Sequence, residues 1–275
     1  LLVALRAALL AGAEILSVYQ SDFSSEKKTD GSPLTKADKK AHQVIQRILL
    51  EAFSTIPIIS EEGDEVEFSI RNQFAQYWLI DPLDGTKEFI SRNGEFTVNI
   101  ALVKKIDDSW VPVIGVVFVP VKDIIYYGEK SIGAYRLEAA SSIDANSIDG
   151  ILMESVSLPV VKKMNGEMTV VVSRSHLNEA TEKFIQSLIQ LGRSVKTICS
   201  GSSIKMCLVA EGTADVYPRL GPTMEWDTAA GDAICRAAGC SVIDYQKEQV
   251  LQYNKEDLHN PWFIVKNIKN EILGG

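Results

Sequence analysis

The first apolar pattern along the chain has the spacing of a helix. Positions recurring at intervals of three and four residues would share one helical face; they are Leu2, Leu5, Leu9, Ala13 and Leu16. This apolar start could be mistaken for a signal peptide, but Arg6 interrupts it and Glu14 follows too soon for a membrane span. We therefore expect a first helix that packs inside the protein.

A second helical pattern covers residues 34–53. Its apolar face consists of Ala37, Ala41, Val44, Ile45, Ile48, Leu49, Ala52 and Phe53. The residues before it, 21–33, are rich in Lys, Asp, Ser and Gly, a composition that predicts a mobile loop. This loop is either simply solvated or serves as a flap over an active site, and the sequence leaves both readings open.

Further along, the apolar pattern changes to that of β-strands. Short strands are predicted at 56–60 and 77–81, followed by alternating segments at 95–103, 113–119 and 124–128. The connections between the last three are short, which predicts an antiparallel meander.

The second half of the chain alternates strands with helices, which predicts an α/β arrangement. Strands are expected at 169–173, 195–199, 214–217, near 242 and at 262–265, and helices at 179–191, 203–211 and 227–238. The irregular stretch 139–164 suggests a boundary between a front half, 1–150, and a back half, 151–275.

The bulk composition narrows the class of protein. The chain has 275 residues, 46% of them hydrophobic, and a net charge of -8, which argues against a binder of nucleic acid polymers. An acidic protein that binds an anionic substrate must reverse its local field, and a bound metal ion does this. Four cysteines without Cys-x-x-Cys spacing indicate reduced, buried thiols rather than a zinc site or a disulfide framework.

The stretch Asp81-Pro82-Leu83-Asp84-Gly85-Thr86 offers the strongest candidate chemistry. Pro82 fixes its own φ and lacks an N–H, so we expect the strand to end there. Two carboxylates beside the free amides at Gly85 and a helix start at Thr86 form a suitable seat for a divalent cation with an anionic ligand. An ordinary Asp-Gly hairpin turn is the alternative, but it requires neither the second Asp nor the Thr.

Other acidic residues sit where the predicted elements begin or end. Glu61 follows the strand at 56–60, and Asp38 lies on the first turn of the second helix, where it also suits the helix dipole. Asp227 is positioned as the N-cap of the helix at 227–238 and could also be a metal ligand.

Two patches could supply positive charge and backbone amides to an anion. Arg174 and His176 follow the strand at 169–173, and strand ends of this kind are where ligands dock in open α/β sheets. Gly201-Ser202-Ser203-Ile204-Lys205 opens a helix, where amides accept phosphate oxygens. Arg219 is a third candidate contact, and a purely structural role remains open for all of them.

Three motifs together resemble a known family. Ser60-Glu61-Glu62-Gly63, Asp81-Pro82-Leu83-Asp84-Gly85-Thr86 and Trp226-Asp227-Thr228-Ala229-Ala230-Gly231 are similar to the three signatures of the inositol monophosphatase superfamily. The motifs 85–90, 93–99 and 222–227 resemble the 3'(2'),5'-bisphosphate nucleotidase (CysQ-type) branch. The resemblance spans nearly the whole chain and implies an α/β (α+β) fold, a layered αβαβα sandwich with the site between its halves.

The resemblance also implies the roles of the acidic residues. Glu61, Asp81 and the Leu83 carbonyl would hold a first Mg²⁺; Asp81, Asp84 and Asp227 would hold a second; a third, weaker ion would lie near Glu61. Two ions could clamp the phosphoryl group, one generating the nucleophile and one stabilising the leaving oxygen. The catalytic pair would be Thr86, which orients the attacking water, and Asp38, hydrogen-bonded to it.

The implied substrate contacts form a larger set that overlaps the metal ligands. Phosphate oxygens would rest on the metals and on the amides of Gly85 and Thr86, and the loosely assigned contacts to the base and second phosphate belong to the back half. The full set is Glu61, Leu83, Asp84, Gly85, Thr86, Arg174, His176, Ser202, Ser203, Lys205 and Asp227.

The implied activity is removal of the 3'-phosphate of adenosine 3',5'-bisphosphate, giving AMP, with 3'-phosphoadenylyl sulfate as a second substrate. An inositol phosphatase and a catalytically silent nucleotide sensor are the alternatives. The resemblance further implies lithium sensitivity, a role in sulfur assimilation, a monomer rather than a dimer, and a cytoplasmic enzyme, with peripheral attachment to the inner membrane as an alternative.

Overall fold

The computed structural model describes residues 1–21, 33–144, 147–160, 166–174 and 178–267, with only the backbone of 33–35. The loop predicted at 21–33 lies outside these residues apart from its two ends, so its expected mobility and its role as a flap stay predictions. His176 is also outside the described residues.

A seven-stranded sheet forms the front of the molecule, with its strands in sequence order from β1 to β7. β1 pairs with β2 in parallel and every later neighbour is antiparallel, which confirms the predicted meander. The strands are β1 (Ile58–Ser60), β2 (Gln76–Asp84), β3 (Thr97–Ile106), β4 (Ser109–Val119), β5 (Ile124–Glu129), β6 (Gly133–Glu138) and β7 (Val156–Leu158).

A five-stranded sheet forms the back and has the order β11-β12-β10-β8-β9. β8 pairs in parallel with β9 and β10, while β12 is antiparallel to both of its neighbours, so the sheet is mixed. These strands are β8 (Glu167–Ser173), β9 (Ser194–Ser200), β10 (Val216–Arg219), β11 (Cys240–Asp244) and β12 (Phe263–Asn267).

Helices separate and cover the sheets. Among the described residues they are α1 (Leu2–Tyr19), α2 (Pro33–Ala52), α3 (Phe68–Arg71), α4 (Thr86–Ile90), α5 (Ile148–Glu154), α6 (Glu179–Gln190), α7 (Ile204–Ala210) and α8 (Glu225–Ala237). α1 and α2 pack together on the outer face of the first sheet, α7 and α8 lie between the sheets, and α6 covers the second sheet. The layers therefore run αβαβα, as the resemblance implied.

Helix α1 illustrates why an apolar segment needs its tertiary context. By length and composition alone it could cross a membrane, with a mean hydropathy of 1.7. In the fold, Leu5, Ala8 and Ile15 are buried in a core shared with α2 and the first sheet. This agrees with the packed helix expected from the sequence. The second helix also follows its predicted face, except that Ala52 is exposed.

The prediction that the strand ends at Pro82 is wrong, because β2 continues to Asp84. On one side, β1 pairs with β2 only as far as Ile80. Pro82 lies beyond this pairing, so its missing N–H costs no hydrogen bond with β1. On the other side, the register with β3 shifts between Asp81 and Asp84. This irregularity absorbs the proline within the strand.

The first sheet also extends further along the chain than expected. β7 pairs with β6 in the first sheet, so the chain changes sheets between Leu158 and Glu167. The stretch 139–164 therefore contains a helix and a strand. The division into halves at residue 150 remains a prediction.

Helix α8 approaches the first sheet closely because glycines face it. A Cβ added to Gly115 on β4 would collide with the Ala230 carbonyl and lie 2.9 Å from the Ala233 Cβ. A Cβ added to Gly128 on β5 would lie 2.9 Å from the Ile234 Cα. The absence of side chains at these two positions lets α8 lie directly on the sheet.

We expect Gly115→Ala to destabilise the protein by about 1–3 kcal/mol, because the added methyl must displace helix backbone. The free energy of unfolding, measured by urea denaturation, tests this. Gly150→Ala is the matched control: the nearest atom to its added Cβ is 3.7 Å away, and alanine favours a helix. Equal stability of Gly115→Ala and the wild type would contradict the close packing of α8.

Candidate active site

The predicted acidic residues converge on one cavity of about 310 Å³ between the two sheets. Strand ends and helix starts from both halves of the chain contribute to its wall. It is lined by Glu61, Asp81, Leu83, Asp84, Gly85, Thr86, Lys87, Glu88, Ser173, Ser202, Ser203, Lys205, Met206, Tyr217, Arg219, Thr223, Asp227, Thr228 and Phe263.

The parallel pairing of β1 and β2 brings the first two carboxylates together. Ser60 lies opposite Ile80, and the Glu61 N–H donates to the Ile80 carbonyl at 3.2 Å. Glu61 and Asp81 therefore leave neighbouring strands at the same end. The Asp81 carboxylate accepts from the Leu83 N–H at 3.0 Å, which folds the backbone of residue 83 around it.

The Asp84 carboxylate is surrounded by donors from the first sheet and from the start of α7. Its Oδ2 accepts from the Ser203 hydroxyl at 2.8 Å and lies 3.4 Å from both the Thr97 hydroxyl and the Asn99 amide. Thr97 and Asn99 belong to β3, whereas Ser203 immediately precedes α7. Asp84 thus sits where the front and back halves meet.

The prediction that Asp227 is an N-cap is wrong. Helix α8 begins at Glu225, with Met224 as its N-cap, and Asp227 is the third helical residue. Its carboxylate accepts from the Met224 N–H at 2.9 Å, so it still satisfies an unpaired amide of the first turn. The helix starts earlier because buried Glu225 accepts from the backbone N–H groups of Asn254 and Lys255.

Burial, and then repulsion between neighbouring acids, raises the pKa of Asp81, Asp227 and Glu61. Burial raises the pKa of Asp81 well above its usual value, and the neighbouring acids add to the rise in the order Asp84, Glu61, Asp227 and Asp38. Burial followed by repulsion from Asp84 raises the pKa of Asp227 to about 7. Burial also raises the pKa of Glu61, although a hydrogen bond with Asp81 opposes it. The cavity therefore holds negative charge that calls for a cation or protons.

The donor set fits magnesium. Carboxylate and carbonyl oxygens are the ligands that Mg²⁺ takes in proteins, and no soft ligand lines the acidic wall apart from the Met206 thioether of α7. Within the described ranges, however, no group of three or more His, Cys, Asp or Glu side chains is already arranged so that it could hold a metal ion.

The expected catalytic pair is only partly brought together. Asp38 lies near the site, since burial and the charges of Glu62 and Glu61 raise its pKa to about 8. Thr86 begins α4 and lines the cavity. Among the hydrogen bonds of the described residues, none joins the two side chains, so their pairing stays a prediction.

Gly85 has the backbone conformation expected of the turn. Its φ is +100°, and an added Cβ would lie 3.2 Å from the Phe96 Cα, so both the backbone angle and the space require glycine. Gly85 is the N-cap of α4, and Thr86, the first residue of that helix, also lines the cavity.

Two cationic side chains, Lys205 and Arg219, also line the cavity, and we call them the cationic wall. Lys205 is 4% exposed, donates from Nζ to the Ser202 carbonyl at 2.5 Å and lies 5.5 Å from the Tyr217 ring centroid. Burial lowers the pKa of Lys205 to about 8, despite the opposing charge of Asp84. Arg219 lines the same cavity from β10 and donates to the Pro222 carbonyl. The cavity can thus receive an anion at two places.

Arg174 occupies a different place from the one predicted for a substrate contact. Within the described part of the chain it lies outside the cavity lining, and its guanidinium binds the Glu95 carboxylate at 2.8 and 3.0 Å. Glu95 also accepts from the Gly201 N–H, and its carbonyl accepts from the Ser202 hydroxyl. Glu95, which lies two residues before β3, is therefore joined to Arg174 after β8 and to the turn before α7.

Comparison with known proteins now identifies the family. The family model of the inositol monophosphatase family matches residues 1–272. The chain belongs to the inositol monophosphatase family. That family depends on magnesium in general, which agrees with the oxygen ligands of the cavity.

Several similar proteins share one name. The 3'(2'),5'-bisphosphate nucleotidase CysQ of Salmonella typhimurium is 42% identical over 93% of this chain and 94% of that protein. The protein of the same name in Escherichia coli K12 is 41% identical over the same shares. The crystal structure of CysQ from Bacteroides thetaiotaomicron has a TM-score of 0.89 and 49% identity, covering 96% of each chain. An inositol monophosphatase from Anabaena, with a TM-score of 0.68 and 23% identity over 96% of this chain and 89% of that one, shares the fold.

Sequence reasoning missed Thr97 and Asn99, which contact the Asp84 carboxylate, and Glu95, which contacts the turn before α7. Thr97, Asn99 and Glu95 fall in a motif quoted only for its resemblance, and no role was predicted for them. Thr97 and Asn99 are fully buried polar residues in an otherwise apolar strand, a pattern that could have drawn attention to them.

We expect the metal-free protein to lose thermal stability progressively from about pH 4 to about pH 8. The folded-state pKa values of Asp227 (about 7) and Asp38 (about 8) lie above the value of about 4 for an unfolded Asp. Within this window the folded protein keeps protons that the unfolded chain has released, so stability falls as the pH rises and levels off above the folded-state pKa values. Melting curves in a chelator measure this, and added Mg²⁺ should reduce the loss. If the melting temperature of Asp38→Asn falls with pH as steeply as that of the wild type, Asp38 does not contribute to this dependence.

Proposed function

We propose that this chain is a magnesium-dependent 3'(2'),5'-bisphosphate nucleotidase, which hydrolyses the 3'-phosphate of adenosine 3',5'-bisphosphate to give AMP and phosphate. 3'-Phosphoadenylyl sulfate, which carries the same 3'-phosphate, is a second substrate. The observation that carries the proposal is that one cavity is lined both by the carboxylates Glu61, Asp81, Asp84 and Asp227 and by the cationic side chains of Lys205 and Arg219. The identity with proteins named as such nucleotidases supports it.

The acidic wall would hold two or three magnesium ions. Glu61, Asp81 and the Leu83 carbonyl would bind the first ion. Asp81, Asp84 and Asp227 would bind the second, so Asp81 would contact both ions. Bound magnesium supplies a nucleophile from water at neutral pH and neutralises the phosphoryl oxygens. The fold of the protein brings together Glu61 after β1, Asp81 and Asp84 in β2, and Asp227 in α8.

Asp38 and Thr86 would manage the proton of the attacking water. The Thr86 hydroxyl can accept a hydrogen bond from water while donating its own hydrogen to the Asp38 carboxylate. As the water oxygen bonds to phosphorus, the bond to the ribose 3'-oxygen breaks and the proton of the water leaves towards Asp38. The leaving 3'-oxygen takes a proton from a second water molecule and becomes the 3'-hydroxyl of AMP. This role requires their side chains to approach each other when substrate binds.

The cationic wall would select a substrate with two phosphates. The 3'-phosphate lies at the carboxylate wall, and the 5'-phosphate is attracted to Lys205 and Arg219 and repelled by the acids. Ser202 belongs to the same wall. The contacts predicted for Arg174 and His176 with the base remain part of this proposal, and Arg174 would first have to leave Glu95.

The proposed compartment is the cytoplasm, where thiols remain reduced. Cys199, Cys207, Cys235 and Cys240 are all free, and the last three are buried. Peripheral attachment to the inner membrane has no support. A monomeric state, inhibition by lithium and a role in sulfur assimilation belong to the proposal as well.

The deciding experiment compares phosphate release from adenosine 3',5'-bisphosphate and from inositol 1-phosphate, with Mg²⁺ and with chelator. We expect release from the nucleotide only with Mg²⁺, at a kcat/KM at least about tenfold above that for inositol 1-phosphate. The reason is that one extra charged contact contributes about 1.5–3 kcal/mol. Preference for inositol 1-phosphate would exclude the nucleotidase, and release from neither would favour a silent sensor.

Asp84→Asn provides the inactive control for this assay. The variant keeps the shape of the side chain but removes one ligand charge, and it should abolish turnover while its circular dichroism spectrum stays that of the wild type. Near-normal rates with Mg²⁺ would contradict the ligand assignment.

We expect Lys205→Met to raise the KM for adenosine 3',5'-bisphosphate by roughly tenfold or more while kcat falls much less. The change preserves the volume of the buried stem and removes the charge that would bind the second phosphate. Initial-rate kinetics at saturating Mg²⁺ measure both constants. Lys183→Met, at an exposed ion pair on α6, is the control, and an unchanged KM in Lys205→Met would remove Lys205 from the binding site.

A further inference from the structure

Ser203 occupies a capping position without capping its helix. It is the N-cap of α7, where a serine hydroxyl ordinarily accepts a hydrogen bond from an N–H of the first turn. In the described structure its side chain makes no such bond. The hydroxyl instead lies 2.8 Å from Asp84 Oδ2 and 2.7 Å from the Asp227 carbonyl oxygen. Ser203, which is 4% exposed, therefore makes hydrogen bonds with Asp84 and Asp227 in place of a capping bond within its own helix.

Asn99 reaches the same point from the first sheet. In the antiparallel pairing of β2 and β3, Asn99 lies opposite Asp81, and Thr97 lies opposite Asp84. Residues two apart on a strand share a face, so both polar side chains point the same way. The Thr97 hydroxyl donates to Asn99 Oδ1 at 3.0 Å, which orients the amide so that Nδ2 donates to Ser203 Oγ at 2.9 Å.

Counting hydrogens gives the direction of the network. The Asn99 amide has two, one directed to Ser203 Oγ and one to Asp84 Oδ2, the latter at 3.4 Å. Ser203 accepts one hydrogen bond and has a single hydrogen to donate. Both groups within its reach as acceptors belong to proposed ligand residues: the Asp84 carboxylate and the Asp227 carbonyl. The donor of Ser203 is therefore used by the protein and is not free for a phosphate oxygen.

We propose that Ser203 and Asn99 are positioning residues, which fix Asp84 relative to the first turn of α8 and thereby set the affinity of the site for magnesium. This inference rests on the proposed function, since it assumes that Asp84 and Asp227 are ligands. It changes the role of Ser203 from the substrate contact implied by the family resemblance to a link between strand β2 and helix α8. Asn99 acquires a role that neither the sequence nor the family comparison assigned to it.

The direct test is calorimetric titration of the chelator-stripped protein with Mg²⁺ and no substrate. Ser203→Ala and Asn99→Leu should each raise the Kd for Mg²⁺ by about tenfold or more, the usual effect of removing an outer-shell partner of a metal ligand. Asn99→Leu retains the side-chain volume and leaves Ser203 in place, so it tests the network even if Ser203→Ala fails to fold.

The matched control is Ser155→Ala. Ser155 is half-buried, and its hydroxyl accepts a hydrogen bond from Tyr127 and donates one to the Ile151 carbonyl, but it lies at the end of α5 and outside the cavity lining. Its Kd for Mg²⁺ should equal that of the wild type. An equal loss of Mg²⁺ affinity in Ser155→Ala would mean general destabilisation and would overturn the inference.

Kinetics then separate positioning from substrate contact. At saturating Mg²⁺, Ser203→Ala should keep its KM for adenosine 3',5'-bisphosphate within about twofold, and its low rate at limiting Mg²⁺ should recover as Mg²⁺ is added. A raised KM with an unchanged Kd for Mg²⁺ would make Ser203 a substrate contact and overturn the inference.

The two proposals fail in different ways. If the wild type binds Mg²⁺ with an affinity that depends on Ser203 and Asn99 but hydrolyses no nucleotide, the proposed function fails and the positioning role stands. If the wild type hydrolyses the nucleotide and both variants bind Mg²⁺ as the wild type does, the positioning role fails alone.

Discussion

Electrostatic repulsion within the carboxylate cavity is the constraint on which this structure depends. Folding brings Glu61, Asp81, Asp84 and Asp227 into one partly buried space, where each disfavours the charge of the others. Such a group of acids is stable only if protons or cations compensate it. The raised pKa values and the set of carboxylate oxygens both result from gathering several acids in one buried space, and both favour a hard divalent cation.

The layered fold holds this group of acids by rigid means. Parallel pairing aligns the ends of β1 and β2, and the close contact of α8 with Gly115 and Gly128 fixes the helix that carries Asp227. At the other end of its first turn, buried Glu225 is bound by backbone amides and by the Lys255 ammonium. The helix is therefore located from both sides, so repulsion between the acids cannot easily move it away.

Polar contacts between the halves complete the site. Ser203 joins Asp84 to the start of α8. Glu95, which is paired with Arg174, accepts a hydrogen bond from the Gly201 N–H in the turn that precedes Ser203. Opposite them, Lys205 and Arg219 place positive charge in the same cavity. An anion that enters is attracted to both walls only when the acidic wall carries cations. This arrangement explains how a protein with a net charge of -8 can receive a doubly phosphorylated substrate.

The sequence by itself determined the longer helices and most strands, the antiparallel meander, the family and the acids that line the cavity, because these follow from local periodicity and from short motifs. It did not determine that β2 passes through Pro82, since this depends on β1 ending beside it. It also did not determine the start of α8, which depends on the binding of Glu225 to residues about 30 positions away. The partners of Ser203, Asn99 and Arg174 were decided only by tertiary structure, because a hydrogen bond between distant segments leaves no periodic trace in the chain. Local patterns record what a segment can form, whereas long-range packing decides which of its groups meet.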